Sequence, residues 1–151
     1  MPFPDWLPVI VVAAMPISEL RGAIPVAILH GFDPLTAYML AVIGNLIPVV
    51  PLLLWLEPVS NYLRRYKNWD RFFNWLFTRT RSRHSEYFEK YGAIALSLFV
   101  AIPLPVTGAW TGCAAAFVFG IKFSHALPAI FFGVLIAGVI VTLTTLGILV
   151  F

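Results

Sequence analysis

The stretch "MPISELRG", residues 15–22, decides how this chain folds. It sets Glu19 and Arg21, with Pro16 just ahead of them, inside an apolar run that extends from Trp6 to Leu29. The arm before it, Trp6–Met15, would reach about 15 Å as a helix, roughly half of a bilayer's hydrocarbon core. A second stretch, "IPLPVTG" at 102–108, breaks the apolar run 93–121 in the same way. Chain broken at membrane depth is tolerated where it is buried in protein or lines a wet cavity. Both broken segments are therefore expected to be re-entrant hairpins of two half-helices, with a pair of kinked full-span helices as the alternative.

Composition names the solvent. Of 151 residues, 60% are hydrophobic and 11% charged, and the mean hydropathy is +0.89. Ordinary soluble domains carry roughly 25% charged residues. A soluble domain of this length could not hide so much apolar surface, so the chain reads as an integral membrane protein. The start, "MPFPDWLPVIVVAAM", lacks a basic leading region and carries Asp5, unlike a cleaved signal peptide. Leu35–Leu56 would span about 33 Å, and Ala126–Phe151 is similarly long and uncharged; both read as spanning helices.

Sliding the chain by 89 residues lays Pro16 on Pro105, Ser18 on Thr107, Ala27 on Ala116, Gly31 on Gly120 and Gly44 on Gly133, without a gap. Each half is then one broken segment followed by one spanning helix. Re-entrant segments make each half cross the membrane once, so the halves are inverted copies. That architecture is common among secondary transporters, whose site lies where discontinuous helices meet. The expected fold is all-α: one membrane domain, 1–151, divided into a first repeat (1–56), a basic amphipathic linker (57–91) and a second repeat (92–151). Pro16, Pro25, Pro103, Pro105 and Gly108 are the expected hairpin breaks.

The net charge of +3 is concentrated, because eight of the ten Lys and Arg fall between Arg64 and Lys90. The positive-inside rule puts 57–91 in the cytoplasm, and the chain in the cell membrane as a multi-pass protein. Hairpins would leave both termini outside, and four full spans would leave both inside. Tyr62, Leu63, Tyr66, Trp69, Phe72, Phe73, Leu76 and Phe77 recur at helical spacing, while Arg64, Arg65, Lys67 and Arg71 sit mainly off that face. The pattern fits a helix on anionic lipid head groups, or one packed on its own protein or a partner.

Glu19 and Arg21 are the charges of the first broken segment. A charge at that depth normally faces a partner or a wet cavity. Glu19 suits proton exchange and Arg21 offers a planar multidentate donor for phosphate; the plainer alternative is an ion pair that fixes the hairpin tip. Ser18 and Thr107 are each placed to N-cap a returning half-helix, so that two helix N-termini would converge on an anion. Trp110 and Thr111 lie on the next turn. Asn45 is placed to hydrogen-bond across to a hairpin or to glue two helices. His30, His84 and His125 are too scattered for a metal site, and one cysteine, Cys113, excludes a multi-cysteine one. Without a hydrolase, metalloprotease or P-loop motif, neither an enzyme nor a cofactor is expected, and no nucleic-acid partner.

The motifs "ELRGAIPVAI" (19–28), "GN" (44–45) and "IPLPVTGAWTG" (102–112) resemble the small multidrug export family, a distant branch of the DedA-like (VTT/SNARE-associated) membrane proteins. The resemblance implies paired re-entrant hairpins and transport. In DedA-like relatives an acidic residue of the first hairpin and arginines of the second are linked to proton-coupled movement of polyprenyl (undecaprenyl) phosphate lipid carriers. Glu19 matches the acidic position. The second hairpin here has no arginine, which leaves phosphate to Arg21.

The resulting expectation is a small transporter of an amphipathic anion such as a polyprenyl phosphate. Arg21, Ser18 and Thr107 would hold the head group and Glu19 would couple a proton. The rivals are an exporter of lipophilic cations, with Glu19 as counter-charge, and a non-transporting membrane scaffold. A thin wall of two spans and two hairpins leads to the expectation of a homo-oligomer, a dimer.

Overall fold

The computed structural model describes residues 4–81, 86–104 and 107–150. Among them the chain is all helical: α1 (Trp6–Ala14), α2 (Glu19–Leu29), α3 (Pro34–Leu46), α4 (Val49–Leu63), α5 (Lys67–Arg81), α6 (Glu86–Ala101), α7 (Ala109–Phe119) and α8 (Phe123–Val150). Two stretches are long and apolar enough to cross a membrane, Pro34–Leu63 (α3 with α4) and Phe123–Val150. The expected break at 15–22 is half of one: 15–18, with Pro16, lie between α1 and α2, while 19–22 form the first turn of α2; the described residues of the break at 102–108, with Pro103, lie between α6 and α7. Pro25 lies inside α2 and does not break it, at the cost of one intrahelical hydrogen bond. Pro105 and His84 lie outside the described residues.

Equivalent local structure recurs at the 89-residue offset. Gly31 and Gly120 both take left-handed backbone, φ 92° and 74°, which glycine adopts at little cost. The amide of Gly31 donates to Ile28 O and that of Phe32 to Ala27 O. Gly120 donates to Phe117 O and Ile121 to Ala116 O, the same pair of bonds one repeat later. Each pair closes a helix whose last carbonyls would otherwise be orphaned. Helix α3 then starts on Asp33, whose carboxylate accepts from the Thr36 amide (3.0 Å) and hydroxyl (2.6 Å). These donors hold the Asp33 carboxyl below its ordinary range.

Packing follows the same exchange. Helix α1 lies on α3 and α6 on α8, while α2 packs on α8 and α7 on α4. Glycine allows the first two contacts. A Cβ on Gly44 would sit 2.7 Å from Ile10 O, and one on Gly133 would sit 2.7 Å from Ser97 O. Backbone cannot yield there as a side-chain tip would. Gly44→Ala or Gly133→Ala is therefore expected to push two helices apart and cost about 1–3 kcal/mol, read as a lowered melting temperature in detergent. Where α3 crosses α8, the Tyr38 hydroxyl donates to Leu135 O at 3.1 Å and its ring covers Gly138.

The core is small and apolar: Val9, Ala13, Ile24, Ala27, Val49, Val100, Cys113, Ile130 and Val134 are all buried. Leu54, Trp55, Phe132, Ile136, Val139 and Leu143 stay exposed on the long helices. Water would penalise so much outward apolar surface, and lipid does not.

The linker 57–91 is not one helix. Residues 57–63 continue α4, 64–66 form a turn, α5 covers Lys67–Arg81, and α6 starts at Glu86. The turn is held from both sides: Arg64 pairs with Asp70 at 3.2 Å and donates to Asn74. Phe73 is buried and meets Phe117 edge-on, 6.4 Å between centroids, which fastens α5 to α7. Tyr66, Trp69, Phe72 and Trp75 remain exposed.

Candidate functional site

The two breaks meet. Glu19 is 5% exposed, and its carboxylate lies against the N-terminus of α7, ninety residues away in sequence. The Ala109 amide donates to Oε2 and the Trp110 amide to Oε1, each at 3.2 Å. The first amides of a helix have no partner within it and sit at the positive end of its dipole. A carboxylate there is a cap delivered from another part of the chain. Glu19 is also the one non-glycine residue with positive φ (47°) among those described. Holding a β-carbon in that conformation costs roughly 1–2 kcal/mol, so the surrounding contacts impose it.

Gly108 makes room for the carboxylate. A Cβ at 108 would fall 2.0 Å from Glu19 Oε2 and 2.7 Å from Cδ. Its backbone is extended (φ 167°, ψ −172°), so what glycine supplies here is space.

Two further bonds tie the breaks together. Arg21 Nη1 donates to Leu104 O, and Trp110 Nε1 donates to Ala14 O at 3.0 Å. Arg21 and Trp110 are related by the 89-residue offset, as are Ala14 and Pro103, the neighbour of Leu104. Each half thus sends a long side-chain N–H donor from the start of its second helix to the carbonyl end of the other half's first arm. Glu19 and Gly108 are likewise one offset pair, carboxylate on one side and seat on the other.

The expected caps do not form. Ser18 makes no capping hydrogen bond to α2, and α7 has Gly108 at its N-cap. The Thr107 hydroxyl turns back into its own loop, donating towards Ile102 O and accepting from the Leu104 amide at 3.0 Å. At α7 the Glu19 carboxylate already fills the place a local hydroxyl would take, and at α2 Ser18 has helical backbone (φ −82°, ψ −52°) in place of the extended geometry of a capping residue. Thr111 is exposed and bonds Gly108 O at 3.2 Å, away from the cavity.

That cavity is about 10 Å³ and is lined by Glu19, Arg21, Asn45, Thr107, Gly108 and Val134 among others. Such a volume holds about one water. Asn45 is 1% exposed and its Oδ1 has no hydrogen-bond partner. Cys113 is buried nearby, its thiol 3.9 Å from Val49 O.

Of the basic residues expected on the membrane surface, Lys67 and Arg71 are exposed, and Arg65 lies over the Tyr62 ring at 5.4 Å. Arg64 is half-buried and lines a larger cavity, about 290 Å³, with Glu57, Ser60, Asn61 and Lys122. This second cavity was not legible in the sequence, because its walls come from α4, the α7–α8 turn and the start of α8. The role of Gly108 was hidden for the same reason: a glycine announces a break and not what occupies the space above it.

The model of a protein family described as "Putative small multi-drug export protein" matches residues 19–140. The match opens on Glu19 and takes in Asn45, Gly108 and Trp110. No curated protein and no solved structure matches the chain significantly. With most of its length matched, including every residue of the Glu19–α7 contact, the chain belongs to the small multi-drug export protein family and is a membrane protein.

Proposed function

We propose that this chain is a proton-coupled transporter of an amphipathic anion, with a polyprenyl phosphate as the leading substrate class. One observation carries the proposal: a carboxylate of the chain itself occupies the N-terminus of α7. A carboxylate is an anionic head group on a tether. Where it binds, a substrate's anionic group can bind once Glu19 has been neutralised by a proton. Proton uptake then frees two amides and leaves Arg21, a planar donor facing the same cavity, as the positive group for a phosphate. A cavity of about 10 Å³ is far too small for a head group, so this arrangement corresponds to the closed site, and loading requires the Glu19 contact to open.

In this proposal α1–α2 and α6–α7 are re-entrant hairpins and the halves are inverted copies in the cell membrane, with 57–91 cytoplasmic and the protein a homodimer. The packing of α1 against α2 supports the hairpin. So does their length: α1 and α2 have nine and eleven residues, about 14 and 17 Å against a core of about 30 Å. The family's description favours a second reading, export of lipophilic drugs, in which a deprotonated Glu19 is the counter-charge of a cation.

Liposomes separate the two. Arg21→Ala is expected to reduce proton-driven uptake of a short-chain polyprenyl phosphate at least about tenfold, the scale of one charge-assisted hydrogen bond, and Glu19→Gln to flatten its pH dependence. If neither change affects that lipid and Glu19→Gln stops efflux of a lipophilic cation, the second reading replaces the first.

A further inference from the structure

Asn45 is unexplained by the contacts described so far. It projects from α3 in the middle of the first span, its Oδ1 is buried and unpartnered, and it lines the cavity it shares with Glu19. A buried acceptor with no donor from the protein is costly, and mere helix–helix glue would not leave it so. What it lacks is a donor. A charged carboxylate only accepts, so Glu19 in its ionised form cannot supply one, whereas a protonated carboxyl gains an O–H.

The other groups around the cavity narrow the choice. Among the described residues, α6 and α8 contribute Val100, Val134, Ala137 and Val141, and the second break contributes Pro103, Thr107 and Gly108. The Thr107 hydroxyl is directed at carbonyls of its own loop. Arg21 is the charged neighbour and is directed at Leu104 O. From α7 the titratable neighbour is the Cys113 thiol, which faces Val49 O.

We propose that Asn45 is the hydrogen-bond acceptor of protonated Glu19, a positioning residue that gives the proton-loaded carboxyl a place to turn when it leaves α7. An O–H bond forms on one carboxylate oxygen with a proton delivered as hydronium, which leaves as water; the negative charge is lost, and the Ala109 and Trp110 amides lose their anionic partner. The new O–H points across the cavity to Asn45 Oδ1. The buried acceptor is thus idle in the closed state and satisfied in the loaded one, which makes Asn45 a bias toward opening. This inference rests on Glu19 being the proton-coupling group.

Infrared difference spectroscopy of the full chain in lipid nanodiscs, titrated with acid, tests it. The carboxylic C=O band that disappears in Glu19→Gln belongs to Glu19. Asn45→Leu, similar in volume and without an acceptor, is expected to move that band to higher frequency and to require about tenfold more protons to produce it, the scale of one hydrogen bond. Asn45→Ser, which keeps an acceptor, is expected to stay close to the unsubstituted protein. If Asn45→Leu does not fold, Asn45→Ala carries the same expectation. A Glu19 band unchanged in frequency and midpoint without the Asn45 acceptor overturns the role of Asn45 and leaves Glu19 as the coupling group. Absence of any Glu19-dependent band overturns the coupling role itself, and this inference with it.

Discussion

Glu19→Ala is expected to destabilise the protein by about 2–4 kcal/mol, since it removes two hydrogen bonds to a charged acceptor and leaves a buried amide, Ala109, and a part-buried one, Trp110, without it at the start of α7. Thermal or denaturant unfolding in detergent measures it. Glu19→Gln retains one carbonyl acceptor and is expected to lose about half as much, while its transport becomes insensitive to pH. The backbone adds a sharper expectation. Glycine within a helix is usually about 1 kcal/mol worse than alanine, but position 19 has φ 47°. Glycine relieves that conformation and alanine does not. Glu19→Gly is therefore expected to be more stable than Glu19→Ala by about 1 kcal/mol, the reverse of the helix scale. The ordinary order would mean that residue 19 is not held in left-handed backbone.

Gly108→Ala is expected to dislodge the carboxylate while leaving its charge on the chain. The added methyl would lie 2.0 Å from Glu19 Oε2, and the side chain, being the flexible partner, gives way. Its extended backbone accepts alanine, so the cost is that of the lost cap, about 2–3 kcal/mol. A double-mutant cycle isolates this cause. Once Glu19→Ala has emptied the seat, the methyl at 108 no longer meets a carboxylate, and the double variant is expected to fall short of the summed single effects by at least about 1 kcal/mol. Additive losses would place the damage of Gly108→Ala elsewhere.

The sequence made the coarse plan legible because it is written in local terms. Apolar length marks Pro34–Leu63 and Phe123–Val150, and proline with polar residues marks the breaks before Glu19 and before Ala109. The offset of 89 pairs Gly31 with Gly120, and the structure adds that both end their helices by the same bonds. The site was only half legible. Glu19 and Arg21 stand out by charge, but capping rules look within a few residues of a helix start, and they selected Ser18 and Thr107. The group that caps α7 arrives from ninety residues away, and no periodicity encodes that. Residue type does not link Arg21 to its offset partner, Trp110, which differs in charge and size. What the two share is a long side chain ending in an N–H, used for the same bond. Likewise α4 runs through Glu57 and Pro58 to Leu63, because leaving the apolar layer does not oblige a helix to stop.

The seat at Gly108 also constrains how this chain can change over generations. A bulkier residue at 108 is tolerable only in a lineage that has already given up the acid at 19, and an acid newly acquired at 19 is useful only opposite a bare α-carbon. The two positions are expected to behave as one heritable trait. The exchanged form, glycine at 19 and glutamate at 108, is open to descent as well, since the left-handed backbone at 19 suits glycine and the extended backbone at 108 suits any residue. Relatives of this chain should therefore sort into those that keep the acid in one half and those that keep it in the other, with few that carry it in both.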